Sequence, residues 1–221
     1  MKLLLFDIDG TLVNLHGAGW KALDRAFMDV FGFGCIDFDL DLNGKTDPVI
    51  QESIMIAGGR EIRELNEQRE KLSERYIFHL ENFVEQSEKN PVIPFVREFL
   101  ELSRNNSEYI SGLLTGNLEK GAYIKIRKWK LDKYFSFGAF GSDSAVRGAL
   151  VPIAVDRAVK IYNRQFSMRE VYVIGDTPLD IKCAKDNNAI SVAVATGNYK
   201  YEELLAYMPD ICLRNLSEWK I

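Results

Sequence analysis

Four short apolar runs, each halted by a polar cluster, constrain this chain more than any other feature. Leu3 to Phe6 stops at Asp7-Ile-Asp-Gly, and Ile110 to Leu114 stops at Thr115-Gly-Asn. Val171 to Ile174 stops at Gly175-Asp-Thr-Pro, and Ser191 to Ala195 at Thr196-Gly-Asn. Short apolar runs bounded by such turns read as strands buried on both faces of a parallel sheet. Ile211 to Leu213 is a weaker fifth candidate, and residues 134 to 140 predict another strand just before Gly141-Ser-Asp. Helical patterns lie between the runs. Phe95, Phe99, Leu100 and Leu102 fall close to one face, with Pro94 suited to a first turn. Ile153, Ala154, Ala158 and Ile161 do the same after Pro152. Alternating strands and helices imply an α/β fold, a parallel sheet covered on both faces. Ligands of such sheets bind beyond the carboxyl ends of the strands, where every one of these polar clusters sits.

Residues 14 to about 85 break the alternation. Trp20, Leu23, Phe27 and Phe31 recur at helical spacing, residues 60 to 85 are charged and amphipathic, and no convincing strand occurs. The stretch reads as a helical unit inserted after the first strand, its aromatics serving as core. Gln86 to Pro91 reads as the return linker. The expected organisation is a core of residues 1–13 and 86–221 with a helical domain of residues 14–85.

Composition narrows the function classes. A chain of 221 residues with 47% hydrophobic content can bury a substantial core. The net charge of -4 is spread along the chain, and no basic block tracks a phosphate backbone, so nucleic acid is not the expected partner. The apolar run at Leu3 to Phe6 is far too short to span a membrane, and Asp7 and Asp9 interrupt any signal-peptide layout. The expectation is a soluble cytoplasmic protein, with no membrane partner. Cys35, Cys183 and Cys212 are widely spaced and form no CxxC pair, which indicates structural thiols. No coiled-coil heptad or long apolar surface run points to an assembly, so a monomer or weak homodimer is expected.

The chemistry-bearing residues are mostly acids at strand ends. Asp7 and Asp9 stand two apart and would point the same way in an extended strand, where they repel unless a proton or cation intervenes. A hard divalent cation such as magnesium suits oxygen ligands of this kind. The same residues also suit a solvated Asp-Gly turn, with Gly10 allowing the sharp bend. Asp176 and Asp180, four apart, share one face of a turn or helix start, though Asp180 also suits a helix N-cap. Four carboxylates converging at one sheet edge call for a metal. Thr115-Gly116-Asn117 offers a hydroxyl and backbone N–H groups for phosphate oxygens, and the Arg147 guanidinium could clamp phosphate or hold a nucleophile. His16 and His79 lack metal-ligand spacing and read as structural or surface residues.

Together these segments resemble the haloacid dehalogenase superfamily, in particular its phosphoglycolate phosphatase-like branch with a helical cap. Phe6-Asp-Ile-Asp-Gly-Thr-Leu-Val13 is similar to the family's first motif, Leu114-Thr-Gly-Asn117 to the second, and Val173-Ile-Gly-Asp-Thr-Pro-Leu-Asp-Ile181 to the fourth. The third motif usually presents a lysine; none stands in the matching place, and Arg147 is assigned instead, with Lys160 as the alternative. The resemblance implies a Rossmann-like core with a cap inserted after the first strand. It implies that Asp7 attacks phosphorus to form an aspartyl-phosphate, and that Asp9 first protonates the leaving oxygen and then activates water. Magnesium would be held by Asp7, the backbone carbonyl of Asp9, and Asp176, with Asp180 a ligand through water or an orienter. Thr115, Gly116, Asn117 and Arg147 would hold the phosphoryl oxygens. Gly44-Lys-Thr-Asp47 looks like the branch's substrate loop, with Lys45 reaching an anionic substrate from above. The acid at position 9 favours phosphoryl chemistry over dehalogenation. The expected activity is magnesium-dependent hydrolysis of a small phosphate monoester, phosphoglycolate-like or a sugar phosphate. A sugar-phosphate mutase on the same scaffold and a non-enzymatic binding protein are the alternatives.

Overall fold

The computed structural model describes residues 1–220. Its centre is a six-stranded sheet in the order β3-β2-β1-β4-β5-β6, with every neighbouring pair parallel. The strands are β1 (Lys2–Phe6), β2 (Tyr109–Leu114), β3 (Gly138–Ala139), β4 (Val171–Gly175), β5 (Ile190–Val194) and β6 (Ile211–Leu213). The apolar runs thus lie where the sequence predicts them. The weaker candidate over residues 134 to 140 shrinks to the two residues of β3, after a 3-10 turn at Asp132–Tyr134.

The apolar runs do not alternate because both faces of the sheet are covered. In β1, Leu4 and Phe6 enter one core with Phe99, Leu100 and Ile126, while Leu3 and Leu5 enter the other with Ala154, Ala158 and Ala184. Leu3, Leu4 and Leu5 are fully buried, and burial of each contributes about 2 kcal/mol. The helices supplying these cores are α4 (Val96–Asn105), α5 (Glu119–Arg127), α6 (Leu150–Tyr162) and α7 (Pro178–Asp186); a short α8 (Tyr201–Leu205) packs near β5 and β6. The pattern over α4 needs one correction. Phe95 stands before the helix in a left-handed conformation and Leu102 faces solvent, so the buried stripe is Val96, Phe99, Leu100 and Ser103. Ile161 of α6 is likewise exposed.

Three helices occupy the segment between β1 and α4: α1 (Ala18–Phe31), α2 (Asp47–Ala57) and α3 (Ile62–Glu85). They have their own core, where Ala22, Leu23 and Phe27 of α1 meet Leu72, Tyr76 and Leu80 of α3. Ile124 and Trp129 of the α5 region pack against this core from below. The helical unit is therefore seated over the carboxyl ends of β1 and β2. Among the described residues, no helix is long and apolar enough to cross a membrane.

Candidate active site

The chain order reverses between β1 and β4: β2 and β3 extend the sheet to one side of β1, and β5 and β6 extend it to the other side of β4. Parallel sheets open a crevice at such a reversal. Asp7 follows β1 directly, Asp176 follows β4, and Asp180 lies in the first turn of α7. All three are buried, and one carboxylate oxygen from each lies within 4.8 Å of the others. The Thr11 hydroxyl donates to Asp176 at 3.1 Å. Gly10 carries a φ of 78°, and a Cβ there would collide with the Asp176 carboxylate, so both its conformation and its size suit glycine.

Arg147 closes this cluster from the side. Its guanidinium reaches Asp180 at 2.5 Å and Asp7 at 3.3 Å, with 9% of the side chain exposed. Its loop is braced on α7, where the Cys183 thiol donates to the Arg147 carbonyl and the Asn187 amide to the Gly148 carbonyl. Lys160, the other candidate for the third motif, is exposed and lines a separate groove beside Tyr123 and Arg157. Asp180 is both a helix-capping group and a site residue. The N-cap is Thr177, whose amide and hydroxyl donate to one Asp180 oxygen while Arg147 takes the other.

Electrostatics show what this cluster lacks. Burial pushes the Asp7 carboxyl up to about 6; Arg147 opposes the shift, and Asp180 and Asp9 add to it. Asp176 is raised by burial and by the neighbouring Asp7 and Asp180 carboxylates. Burial works against the Arg147 charge, but Asp180 and Asp7 outweigh it and hold the guanidinium protonated. One cation among three buried acids leaves negative charge uncompensated. A compact all-oxygen site of this charge fits a hard divalent ion such as magnesium, with Asp7, Asp176 and Asp180 supplying oxygens directly or through water.

Asp9 lies in a different setting from Asp7. β1 ends at Phe6 and the chain bends at Ile8, so the two acids line the same cavity with different partners. The Asp9 carboxylate is 48% exposed and accepts from Lys125 Nζ at 2.6 Å and from Asn117 Nδ2 at 2.8 Å. Lys125 also donates to Asn117 Oδ1 at 2.6 Å, and Asn117 Nδ2 to the Thr115 hydroxyl at 2.7 Å. Thr115, Gly116 and Asn117 therefore line the cavity with Asp7 and Asp9, and Asn117 doubles as a strut for Asp9. The sequence reading missed Lys125. Its only local trace is a lysine on the stripe Gly121, Ala122, Ile126 that α5 buries.

The cavity over these groups measures about 490 Å³. Its upper wall comes from the helical unit, including Trp20, Leu23, Ile50, Tyr76, Lys45 and Asp47. His16 sits exposed at its rim, whereas His79 pairs with Asp29 at 2.8 Å, well outside it. The loop before α2 is fastened to the core. Thr46 donates to the Ala145 carbonyl at 2.8 Å, the Asp47 amide to the Gly116 carbonyl at 2.7 Å, and the Leu118 amide to Asp47 Oδ2 at 2.8 Å. The Lys45 carbonyl presses on Gly116, where a Cβ would collide with it.

Asp47 provides a pH-dependent test of this packing. Burial raises its carboxyl from about 3.8 to about 6, against the pull of Lys125 and the Leu118 amide, with Asp9 adding to the rise. Between those values the folded protein holds a proton that the unfolded chain has released. The contribution of Asp47 to stability is therefore present at low pH and is lost as pH rises from about 4 to about 6, by at most about 3 kcal/mol. Water in the cavity screens part of it. Urea unfolding of wild type and Asp47→Asn should show their stability difference falling across that window; a flat difference would mean that Asp47 titrates as an ordinary exposed acid.

The family model for haloacid dehalogenase-like hydrolases matches residues 4–185. A curated protein of Listeria monocytogenes, pyrophosphatase PpaX, is 24% identical over 220 residues, covering 97% of this chain and 93% of its own. Among solved structures, beta-phosphoglucomutase from Clostridium difficile superposes with a TM-score of 0.77 at 17% identity, covering 100% of this chain and 94% of its own. A predicted phosphoglycolate phosphatase from Haemophilus somnus 129PT gives 0.72 at 19% identity, covering 99% and 96%.

Proposed function

We propose that this chain, which belongs to the haloacid dehalogenase-like hydrolases, is a magnesium-dependent phosphatase acting on a small phosphate monoester through Asp7. The observation that carries this reading is the pairing of a buried acid cluster, Asp7, Asp176 and Asp180, with a separate solvent-reaching acid, Asp9, in one cavity. Phosphoryl transfer through an aspartate needs a nucleophile and a proton carrier in different environments.

Asp7 sits at the floor, held in place by Arg147 and by its own amide, which donates to the Ile174 carbonyl at 2.9 Å. It would attack phosphorus and form the aspartyl-phosphate. Magnesium among Asp7, Asp176 and Asp180 would offset the repulsion between the nucleophile and the phosphate dianion. Thr115, Gly116, Asn117 and Arg147 would receive the phosphoryl oxygens. Asp9, steadied by Lys125 and Asn117, would give its proton to the leaving oxygen and later take one from the attacking water. Residues 14–85 would act as a cap that closes the cavity and excludes bulk water.

The test is release of phosphate from p-nitrophenyl phosphate, with magnesium and then with excess EDTA. Release should fall by about a hundredfold or more on chelation and return when magnesium is restored. Metal-independent release would remove the acid cluster from the mechanism. The solved relative named beta-phosphoglucomutase, whose fold spans the whole chain, motivates a second arm with a hexose 1-phosphate. Isomer formation without free phosphate would replace hydrolysis by intramolecular transfer.

A further inference from the structure

An unpartnered phenol faces the cavity beside the groups that hold Asp9. Tyr76 is 3% exposed and its ring belongs to the core of the helical unit, yet the residue lines the cavity. The ring rests on α5: its Cε1 lies 3.4 Å from the point where a Cβ on Gly121 would sit. The polar groups near its hydroxyl are bonded elsewhere. Lys125 donates to Asp9 and Asn117, and Asp47 accepts from the Leu118 amide. Among the described residues the Tyr76 hydroxyl has no hydrogen-bond partner of its own, and a polar group so deeply buried calls for one. Burial, with the Asp47 and Asp9 carboxylates, holds the phenol well above its usual pKa, so it keeps its proton and can donate.

Lys125 brings a second donor to the same place. An ammonium carries three N–H groups, and Asp9 and Asn117 take two of them. Gly19 leaves the space beside both groups open. It lies in α1, where a Cβ would meet Lys125 Nζ at 3.5 Å and the Tyr76 hydroxyl at 3.8 Å, both ordinary contacts. Neither the helical backbone nor the packing requires glycine there; the missing side chain leaves room for a small group against the phenol and the ammonium. Two donors facing one space select an acceptor oxygen. The leaving oxygen of a bound ester has to come within hydrogen-bond reach of Asp9, and Lys125 holds Asp9 at 2.6 Å. An oxygen on the second carbon of the leaving alcohol, in a hydroxyl or a carboxylate, extends from there toward Lys125 and Tyr76.

We infer that Tyr76, Lys125 and Gly19 form a subsite for an oxygen on the second carbon of the leaving alcohol, so that the protein selects phosphate monoesters bearing a vicinal hydroxyl or carboxylate. The inference rests on the phosphatase reading and narrows its substrate class. It makes Tyr76 a residue of substrate choice as well as a member of the helical unit's core.

The experiment compares kcat/KM, with saturating magnesium, for 2-hydroxyethyl phosphate, phosphoglycolate and n-propyl phosphate; the last matches the first in length and carries a methyl in place of the oxygen. The wild-type protein should favour at least one oxygen-bearing ester over n-propyl phosphate by about tenfold or more, because the methyl leaves both donors unpaired. Which of the two it favours tells a hydroxyl from a carboxylate. Tyr76→Phe removes only the phenolic oxygen and should shrink that preference by about fivefold or more. Gly19→Ala fits at ordinary contact distance, so the protein should fold, and its methyl fills the space and should shrink the preference as well. Differences in intrinsic reactivity among the esters cancel between wild type and variant, and a merely structural role for Tyr76 would lower all rates together and leave the ratio unmoved. A wild-type ratio near one would overturn the inference and leave the phosphatase reading intact, as would an unchanged ratio in either folded variant. No magnesium-dependent release from any of these esters or from p-nitrophenyl phosphate would defeat the phosphatase reading, and this inference with it.

Discussion

Asp7→Asn should lose turnover by about four orders of magnitude or more while remaining folded. The size of the effect follows from the role. An amide oxygen is a poor nucleophile, and no other carboxylate replaces Asp7 at the floor of the cavity: Asp180 is committed to Thr177 and Arg147, and Asp176 to Thr11. Asp9 is drawn toward Lys125 and Asn117. The fold should tolerate the change because asparagine is isosteric and relieves charge in a cluster where burial already drives Asp7 toward protonation, at about 6. Without magnesium the variant should therefore melt no lower than wild type. Phosphate release and thermal unfolding measured on the same preparation separate the two effects. Activity near the wild-type level in a folded Asp7→Asn protein would remove Asp7 as the nucleophile.

Much of this architecture was legible because parallel sheets write themselves in short continuous apolar runs. β1, β2, β4, β5 and β6 each sit within about one residue of such a run. Helix faces were read less well. Phe95, Leu102 and Ile161 satisfy a helical spacing yet face outward or precede the helix, because periodicity fixes which residues share a face and tertiary packing fixes how wide the buried stripe is. The strand-end acids were legible for a related reason: Asp7 and Asp176 have no solvent-facing alternative once β1 and β4 are central strands. Arg147 stood out only as a guanidinium able to clamp phosphate or hold a nucleophile, and the resemblance to a family motif gave it its place, since its partners lie 33 and 140 residues away in the chain. Lys125 was invisible. Its contact with Asp9 spans 116 residues, and within α5 it reads as an interruption of an apolar face. Asp47 was seen only as the end of a loop motif, because its closeness to Leu118 depends on how the helical unit docks.

Arg147→Ala tests the balance of charge at the floor of the site, and its expected effect on stability is the larger of its two consequences. The guanidinium is the cation that meets both Asp7 and Asp180, and it is 91% buried. Removing one partner from a buried ion pair leaves the others uncompensated, at a cost of about 3–5 kcal/mol. Three buried acids would then share the cavity floor with no guanidinium. Protonation of Asp7, whose carboxyl burial already raises, would absorb part of that cost, and a divalent ion would absorb more. The destabilisation should therefore be greatest in EDTA at neutral pH and smaller with saturating magnesium or at acid pH. Turnover should fall by about a hundredfold or more, because Asp7 loses a positioning contact and the phosphoryl group loses a donor. Arg147→Lys restores one positive charge without the planar fork that reaches two carboxylates at once, so it should recover stability more fully than activity. Denaturant unfolding with and without magnesium, alongside phosphate-release kinetics, reads both consequences. If Arg147→Ala were as stable as wild type in EDTA, the acids at the floor would be neutral in the folded protein, and the argument that they call for a divalent cation would fail.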